Sequence, residues 1–208
     1  MGKYDVEITG NPIKVDVLDS AELISSCIAD FLTPKLQTEA PVVGLDLHSS
    51  KNGPLGRSTN SLLLLCIDAY CLVVQLKYVD KVPDSLKKFL GDEKICFVGV
   101  DVDRKLSRVM PSSLDPLVCK TAVELSHLAA RIRKMPSLLN GDIKALAKEV
   151  GISYEPAASG GRHAPRVNYE AKVFSGDEVK ALVHDAYVCY KIGRSVVEEL
   201  LRDSSAPS

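Results

Sequence analysis

The stretch Val42-Val-Gly-Leu-Asp-Leu47 decides the fold. Its apolar residues are typical of a strand that is buried on both faces of a sheet covered by helices. Asp46 interrupts the apolar run and shares a strand face with His48, because side chains alternate along a strand. A buried carboxylate is costly unless it is paired, hydrogen-bonded or bound to metal. Asp46 is therefore either a functional group or a solvated residue at a strand end.

Two further apolar runs follow, from Leu62 to Ile67 and from Cys71 to Leu76, with only Asp68-Ala-Tyr70 between them. Three strands joined by short connections predict an antiparallel meander. The pattern then alternates between helix and strand. We expect helices near 85–90 and 103–109, strands at 95–100 and near 117–123, and a helix that ends at about Arg133.

Both ends of the chain add elements to this sheet. A strand at 13–17 precedes a helix that begins with a capping-box-like sequence at 19–22 and ends at about Leu32. A short helix at 142–150 ends at Gly151, and Ser175-Gly-Asp-Glu178 begins a last helix that runs to about Leu201. The predicted fold class is α/β, with a mixed sheet (antiparallel meander plus parallel strands) in a three-layer α/β/α arrangement. We expect a single domain over 1–202 and a disordered tail over 203–208.

The composition limits the partners and the compartment. With 26 basic and 27 acidic residues, the chain has no bulk positive charge, so contact with nucleic acid requires a local groove. The six cysteines include no Cys-x-x-Cys pair, which indicates reduced thiols. No segment is typical of a membrane span or a signal peptide. We expect a cytoplasmic protein, also compatible with the nucleus, and no membrane partner.

Carboxylates from three separated elements are expected at one edge of the sheet. Asp185 shares a helical stripe with Leu182 and Cys189, which predicts that it points toward the sheet. Asp103 follows the strand at 95–100, and Asp101 is the alternative ligand there. With Asp46, these groups suit two divalent cations, Mg²⁺ or Mn²⁺, about 3.5–4 Å apart. Alternatives stay open: Asp185 as a satisfied core residue, and Asp103 as a helix N-cap.

The segment Ser159-Gly-Gly-Arg-His-Ala-Pro-Arg166 is a predicted loop with two arginines and a histidine on a Gly/Pro frame. Arg162 and Arg166 are candidate phosphate ligands, because a guanidinium pairs with phosphate oxygens through two hydrogen bonds. His163 is a candidate catalytic base, and an ordinary surface loop is the alternative. Dinucleotide-binding and P-loop motifs are absent from the sequence.

In this order, the segments resemble the motifs of the DEDD (DnaQ-like) 3′–5′ exonuclease superfamily, which has an RNase H-like fold. The first motif is similar to 42–46, the second to 97–103, and the third to His184-Asp-Ala-Tyr187. The resemblance extends over about 15–199 and is strongest for the plant Werner-exonuclease-like branch. It implies a metal-dependent 3′–5′ exonuclease with Asp46, Asp103 (or Asp101) and Asp185 as metal ligands.

More narrowly, the length and the one-domain organisation resemble the small plant RISC-interacting clearing 3′–5′ exoribonucleases. This resemblance implies single-stranded RNA as the substrate, RNA fragments of the small-RNA pathway in particular. It also implies a homo-oligomer, a hexamer with sites at subunit interfaces, and association with Argonaute.

Two departures from the family pattern affect the expected chemistry. The first motif of the family is Asp-x-Glu, whereas this chain has Asp46-Leu-His48, and an imidazole favours softer cations such as Mn²⁺ over Mg²⁺. The family places a water-orienting Tyr four residues, or a His five residues, before its last Asp. Those positions are Ala181 and Lys180 here.

Two histidines are alternatives to the missing base. His184 is displaced by about 100° around the helix from its neighbour Asp185, which predicts a solvated surface residue. His163 is the preferred candidate because its loop is expected to reach the site. The first hypothesis is an active exoribonuclease. The second is a catalytically degenerate protein that binds RNA or a protein partner without cutting it. A DNA-repair exonuclease is disfavoured by the near-neutral charge.

Overall fold

The sheet of this protein has seven strands in a computed structural model that describes residues 1–32, 38–49, 61–108, 117–155 and 167–205. The strand order is β1-β2-β5-β4-β3-β6-β7. The strands are β1 (Gly2–Ile8), β2 (Asn11–Leu18), β3 (Val42–Ser49), β4 (Ser61–Ile67), β5 (Tyr70–Gln75), β6 (Cys96–Gly99) and β7 (Ala122–Glu124).

The sheet is mixed, as the sequence predicts. Strands β3, β4 and β5 form the expected antiparallel meander, whereas β6 pairs in parallel with both β3 and β7. On the other side, β2 runs parallel to β5 and antiparallel to β1. Strand β1 was not predicted from the sequence. Its alternation was a usable signal, because Lys3, Asp5 and Glu7 are exposed while Ile8 is buried.

The centre of the sheet is the strand β4, whose seven residues are all buried. A continuous apolar strand is typical of a position covered on both faces. Cys66 of β4 and Cys71 of β5 are cross-strand partners with Cα atoms 4.2 Å apart, and a disulfide joins them. The expectation of six reduced thiols is therefore wrong for this pair. The sequence separation of five did not predict the disulfide, because the two thiols come together only when β4 and β5 form a tight hairpin.

Six α-helices flank the sheet in the described part of the chain. They are α1 (Ala21–Leu32), α2 (Asp84–Leu90), α3 (Val102–Arg108), α4 (Leu125–Ile132), α5 (Ile143–Glu149) and α6 (Gly176–Ser205). The predicted capping box of α6 is present: the Ser175 hydroxyl accepts from the Glu178 N–H, and the Glu178 carboxylate accepts from the Ser175 N–H. None of these helices has the length and apolar character needed to cross a bilayer.

Two element boundaries differ from the predictions. The strand expected near 117–123 is only β7, at Ala122–Glu124, because its residues are half-buried at the sheet edge. Helix α6 runs to Ser205 instead of ending at about Leu201, so residues 203–205 are helical and the expected tail does not begin at 203. The rest of that tail, 206–208, lies outside the described residues.

Helix α6 approaches the sheet most closely at Gly44 of β3. A Cβ atom at this position would lie 2.1 Å from the backbone oxygen of Ala186, so only glycine allows the contact. Because alternate residues of a strand share a face, Asp46 and His48 also face the side of the sheet on which α6 packs. Helices α4 and α5 pack in turn against α6, which is therefore covered on more than one side.

Candidate functional site

Asp46 is a buried carboxylate near the carboxyl end of β3. The residue is 5% exposed, and its Oδ1 accepts a hydrogen bond of 2.7 Å from the Leu47 N–H. The Lys105 ammonium donates to the same oxygen at 2.5 Å. Asp46 is thus neither solvated nor alone, because a protein cation compensates the charge that the apolar strand buries.

Lys105 reaches Asp46 because of the way α3 packs on the sheet. Val102 of the first turn of α3 is 1% exposed, and Lys105 follows three residues later on the same helix face. A Cβ atom at Gly99 would lie 2.7 Å from the Val102 side chain, so the helix start lies tightly against the end of β6. The orientation of α3 therefore brings Lys105, and not Asp103, to the buried carboxylate.

The other two predicted carboxylates of this region lie elsewhere. Asp101 and Asp103 are both exposed and line a surface depression together with Glu124 and His127. Asp101 forms an ion pair with Arg104, and its backbone oxygen accepts the Lys105 N–H of the first helical turn. The chain therefore enters α3 at Asp101.

Asp185 lies at the edge of the site, and its side chain is 51% exposed. Its Oδ1 accepts a hydrogen bond of 3.2 Å from the Tyr154 hydroxyl and lies 2.9 Å from Nδ1 of His184. Partial burial raises the pKa of Asp185, but the hydrogen bonds and the charge of the imidazole outweigh it, so the pKa lies below its ordinary value of 3.8. The carboxylate is held in its ionised form.

His184 is buried, which contradicts the prediction of a solvated surface residue. It is only 2% exposed, and its ring contacts the Tyr154 ring edge to face at a centroid distance of 5.3 Å. The physical reason is that Tyr154, in the segment after α5, packs on the side of α6 that was expected to face solvent. Conversely, Asp185 is more exposed than an inward-pointing residue would be.

His48 stacks on Tyr169 with a centroid distance of 5.3 Å and an interplanar angle of 6°. Its Nε2 lies 3.4 Å from Oδ2 of Asp46. Two long-range hydrogen bonds hold the segment that carries Tyr169 over the sheet: Gln75 donates to the Ala171 oxygen, and Tyr78 donates to the Glu170 oxygen. The stacked pair is therefore fixed at the same end of β3 as Asp46.

The buried thiol of Cys189 lies near both carboxylates of the site, Asp46 and Asp185. It lies one helical turn after Asp185 on α6. Burial raises its pKa well above the ordinary value, and the nearby charges of Asp46 and Asp185 raise it further. Burial also raises the pKa of Tyr169, and the charge of Asp46 adds to this effect. We call the group formed by Asp46, His48, Lys105, Tyr154, Tyr169, His184, Asp185 and Cys189 the β3–α6 cleft.

The donors of this cleft do not fit a two-metal centre. Within the described ranges, no group of three or more His, Cys, Asp or Glu side chains is arranged to hold a metal ion. One oxygen of Asp46 already contacts an ammonium, and one oxygen of Asp185 contacts a phenol and an imidazole. Mg²⁺ requires closely arranged oxygen ligands, and the second-motif carboxylates Asp101 and Asp103 do not supply them here.

The predicted phosphate ligands Arg162 and Arg166 and the predicted base His163 lie at 156–166, outside the described residues. The ends of that segment are described. Tyr154, just before it, hydrogen-bonds Asp185, and Tyr169, just after it, stacks on His48. The chain therefore leaves the β3–α6 cleft before this segment and returns to the cleft after it.

Three side chains of the cleft were missed by sequence reasoning: Lys105, Tyr154 and Tyr169. For Lys105 a signal existed in its spacing of three residues from the apolar Val102. For the two tyrosines none existed, because both come from irregular segments that tertiary contacts bring over the sheet.

Solved exonuclease structures are similar to this chain. The EXD2 exonuclease domain soaked in Mn is 23% identical with a TM-score of 0.49, and the match covers 90% of this chain and 88% of that chain. Escherichia coli RNase D, an exoribonuclease involved in structured RNA processing, is 13% identical with a TM-score of 0.65, over 93% of this chain and 47% of that chain. No protein-family model and no curated protein matches. The likeness to RNase D confirms the predicted RNase H-like α/β fold. The narrower plant branch stays a prediction.

Proposed function

We propose that this protein binds the 3′ end of single-stranded RNA in the β3–α6 cleft, and that the cleft retains the RNA without two-metal hydrolysis. The observation that carries this proposal is the ion pair between Lys105 and Asp46. In a two-metal nuclease the first-motif carboxylate holds a divalent cation. Here a lysine holds the same carboxylate, while the exposed Asp101 and Asp103 lie in another depression.

The cleft and the segment beside it offer cations to an RNA phosphate. The Lys105 side chain is 29% exposed, so part of it remains accessible to a ligand while its ammonium is bonded to Asp46. Arg162 and Arg166 belong to a segment that begins and ends at the cleft, and a guanidinium pairs with two phosphate oxygens at once. We assign these three cations to the phosphates of the RNA, because the net charge of the chain is only −1 and contact with nucleic acid needs a local set of cations.

The stacked pair of His48 and Tyr169 favours a single-stranded ligand. Unpaired bases bind proteins by stacking on aromatic side chains, which a base inside a duplex cannot do. Tyr169 is half-buried and held by the backbone contacts of its segment, so a base meets a fixed ring and little side-chain freedom is lost on binding.

The preference for RNA over DNA, the small-RNA pathway, the hexamer and the association with Argonaute follow from the family resemblance, and the cytoplasmic location follows from the composition. All of them stay predictions.

A second candidate function is an active metal-dependent 3′–5′ exoribonuclease with Mg²⁺ or Mn²⁺. Its specific support is that the charges of Asp46 and Asp185 both raise the pKa of the Cys189 thiol, so both carboxylates lie near it, in a fold shared with an exoribonuclease. In this candidate His163 takes the role of the missing base, and His163→Ala would lower turnover by about 10²–10⁴.

The test of the binding proposal is fluorescence anisotropy with 5′-labelled single-stranded RNA in the presence of a chelator. We expect binding that weakens when the 3′ hydroxyl is blocked, and weaker binding by Arg162→Ala or Arg166→Ala. Each lost phosphate contact lowers the salt slope by about 0.7 for a single strand. Arg131→Ala, at an exposed position of α4, is the matched control with unchanged binding. Equal affinity of all variants, or no affinity at all, would remove the proposal.

A further inference from the structure

We infer that the Lys105 ammonium is a built-in replacement for a divalent cation at Asp46, so that the cleft of the native protein excludes metal and binds phosphate without it. The inference deepens the proposed function, and only its RNA arm rests on that function. Its metal arm stands on the geometry of the ion pair alone.

The first support is the position of the ammonium. Nζ of Lys105 lies 2.5 Å from Oδ1 of Asp46, and the Leu47 N–H donates to the same oxygen at 2.7 Å. An oxygen that already accepts from an ammonium and an amide is a poor ligand for a further cation. A metal ion at this carboxylate must therefore displace Lys105 or bind through Oδ2 alone, which faces His48.

The second support is the charge balance. Asp46 is 5% exposed, and the second oxygen of its carboxylate faces Nε2 of His48 at 3.4 Å. One ammonium neutralises one carboxylate, whereas a divalent cation beside the ammonium adds two uncompensated charges in a poorly solvated place. The described cleft offers only Asp185 as a further carboxylate, and that group is engaged by Tyr154 and His184.

The third support is the rigidity of the arrangement. Lys105 cannot withdraw by a rotation of α3, because Val102 is buried and the start of the helix lies against the backbone at Gly99. Asp103 is exposed on another side of the same helix, so its carboxylate cannot replace the ammonium without refolding the turn at Asp101. The helix orientation that brings Lys105 in is the one that keeps Asp103 out.

The consequence concerns phosphate. An ammonium has three N–H donors, and only one of them is needed for Asp46. A cation fixed at the carboxyl end of β3 can thus donate to a phosphate oxygen of the RNA, which a metal would otherwise bind. RNA affinity is then independent of divalent metal.

The metal arm is tested by titration of the purified protein with Mn²⁺, with free Mn²⁺ followed by electron paramagnetic resonance. We expect the wild type to bind Mn²⁺ more weakly than Lys105→Met, which keeps the chain length, removes the charge and leaves Oδ1 of Asp46 to the cation. The gain should be at least about tenfold in affinity, the size of typical changes around metal ligands. Asp46→Asn in the Lys105→Met background should abolish the gain, and Lys144→Met on α5 should resemble the wild type.

Two outcomes overturn the inference. One is tight Mn²⁺ binding by the wild type that Asp46→Asn removes. The other is a Lys105→Met protein that keeps the circular dichroism of the wild type but gains no Mn²⁺ site. If Lys105→Met does not fold, Lys105→Gln replaces it, and the Mn²⁺ titrations of Lys105→Gln and of the wild type are compared in the same way. The RNA anisotropy measurement in chelator is a separate test. If no RNA binds, the proposed function is removed, whereas the Mn²⁺ titration still tests whether Lys105 excludes metal from Asp46.

Discussion

Removal of the Lys105 ammonium should destabilise the protein measurably. Among the described residues, Lys105→Met leaves the 5% exposed Asp46 with one backbone N–H and the His48 imidazole as polar partners. Breaking a fully buried pair costs about 3–5 kcal/mol. Because the Lys105 side chain is 29% exposed, water and solvent ions reach the ammonium side of the pair, and we expect a smaller loss, about 2–3 kcal/mol of the free energy of unfolding.

The same loss can be expressed as a melting temperature. For a chain of this size 1 kcal/mol corresponds to about 2–4 °C, so the midpoint should fall by about 4–12 °C. Urea denaturation followed by circular dichroism measures the free energy itself. Asp46→Asn alone leaves the ammonium without its carboxylate, and the double variant removes both charges. The double-mutant cycle should therefore give a coupling energy of about 1–3 kcal/mol.

Lys144→Met provides the reference for a lysine on an exposed helix position, and we expect it to stay within about 0.5 kcal/mol of the wild type. A Lys105→Met protein as stable as this reference, together with a coupling energy near zero, would show that the ion pair does not hold the site together. The claim that Lys105 compensates Asp46 would then be refuted.

Two further predictions concern the other side of the cleft. Tyr154→Phe removes a hydrogen bond to Asp185, so the carboxyl pKa, read by NMR, should rise toward 3.8. The lowered pKa of Asp185 stabilises the folded protein above pH 3.8, and this stabilisation is lost as the pH falls through the folded-state pKa. The free energy of unfolding of Tyr154→Phe should therefore approach that of the wild type below about pH 4. An unchanged pKa of Asp185 in Tyr154→Phe would contradict the prediction. Gly44→Ala should destabilise by about 3 kcal/mol or more in urea denaturation, because the new methyl group meets backbone of α6, whereas Gly176→Ala has open space and serves as the control. Equal stability of the two glycine variants would show that α6 does not approach β3 as described.

The sheet was predictable from local pattern. Only Asp68 and Ala69 separate β4 from β5, and the order of β3, β4 and β5 along the chain is their order in the meander. Asp46 was found because it is the one charge in an apolar strand, which is a local signal. The strand β1 was missed although its alternation is equally local.

The partners of Asp46 were not predictable in the same way. The three residues Asp101, Asp103 and Lys105 occupy one short helix region, and only its packing decides which of them faces the sheet. The family resemblance favoured the carboxylates, whereas the buried Val102 turns Lys105 inward. The spacing of three residues from Val102 to Lys105 predicts that Lys105, and not Asp103, faces the sheet.

The environments of His184 and Asp185 on α6 are a similar case. A stripe of apolar residues predicts one buried side, but a helix between a sheet and two further helices has more than one. His184 and Asp185 exchanged their expected environments for this reason. Tyr154 and Tyr169 depend on contacts across the chain, which no local pattern contains.

The measurement that tests the central claim most directly is the affinity for 5′-labelled single-stranded RNA, determined in Mg²⁺, in Mn²⁺ and in chelator at matched ionic strength, with the length of the RNA read from the same samples. We expect one dissociation constant in all three conditions, because Lys105 and not a metal meets the phosphate, and RNA of full length throughout. Affinity that disappears in chelator, or RNA that shortens stepwise from its 3′ end only when metal is present, would contradict metal-free binding and establish the hydrolytic alternative.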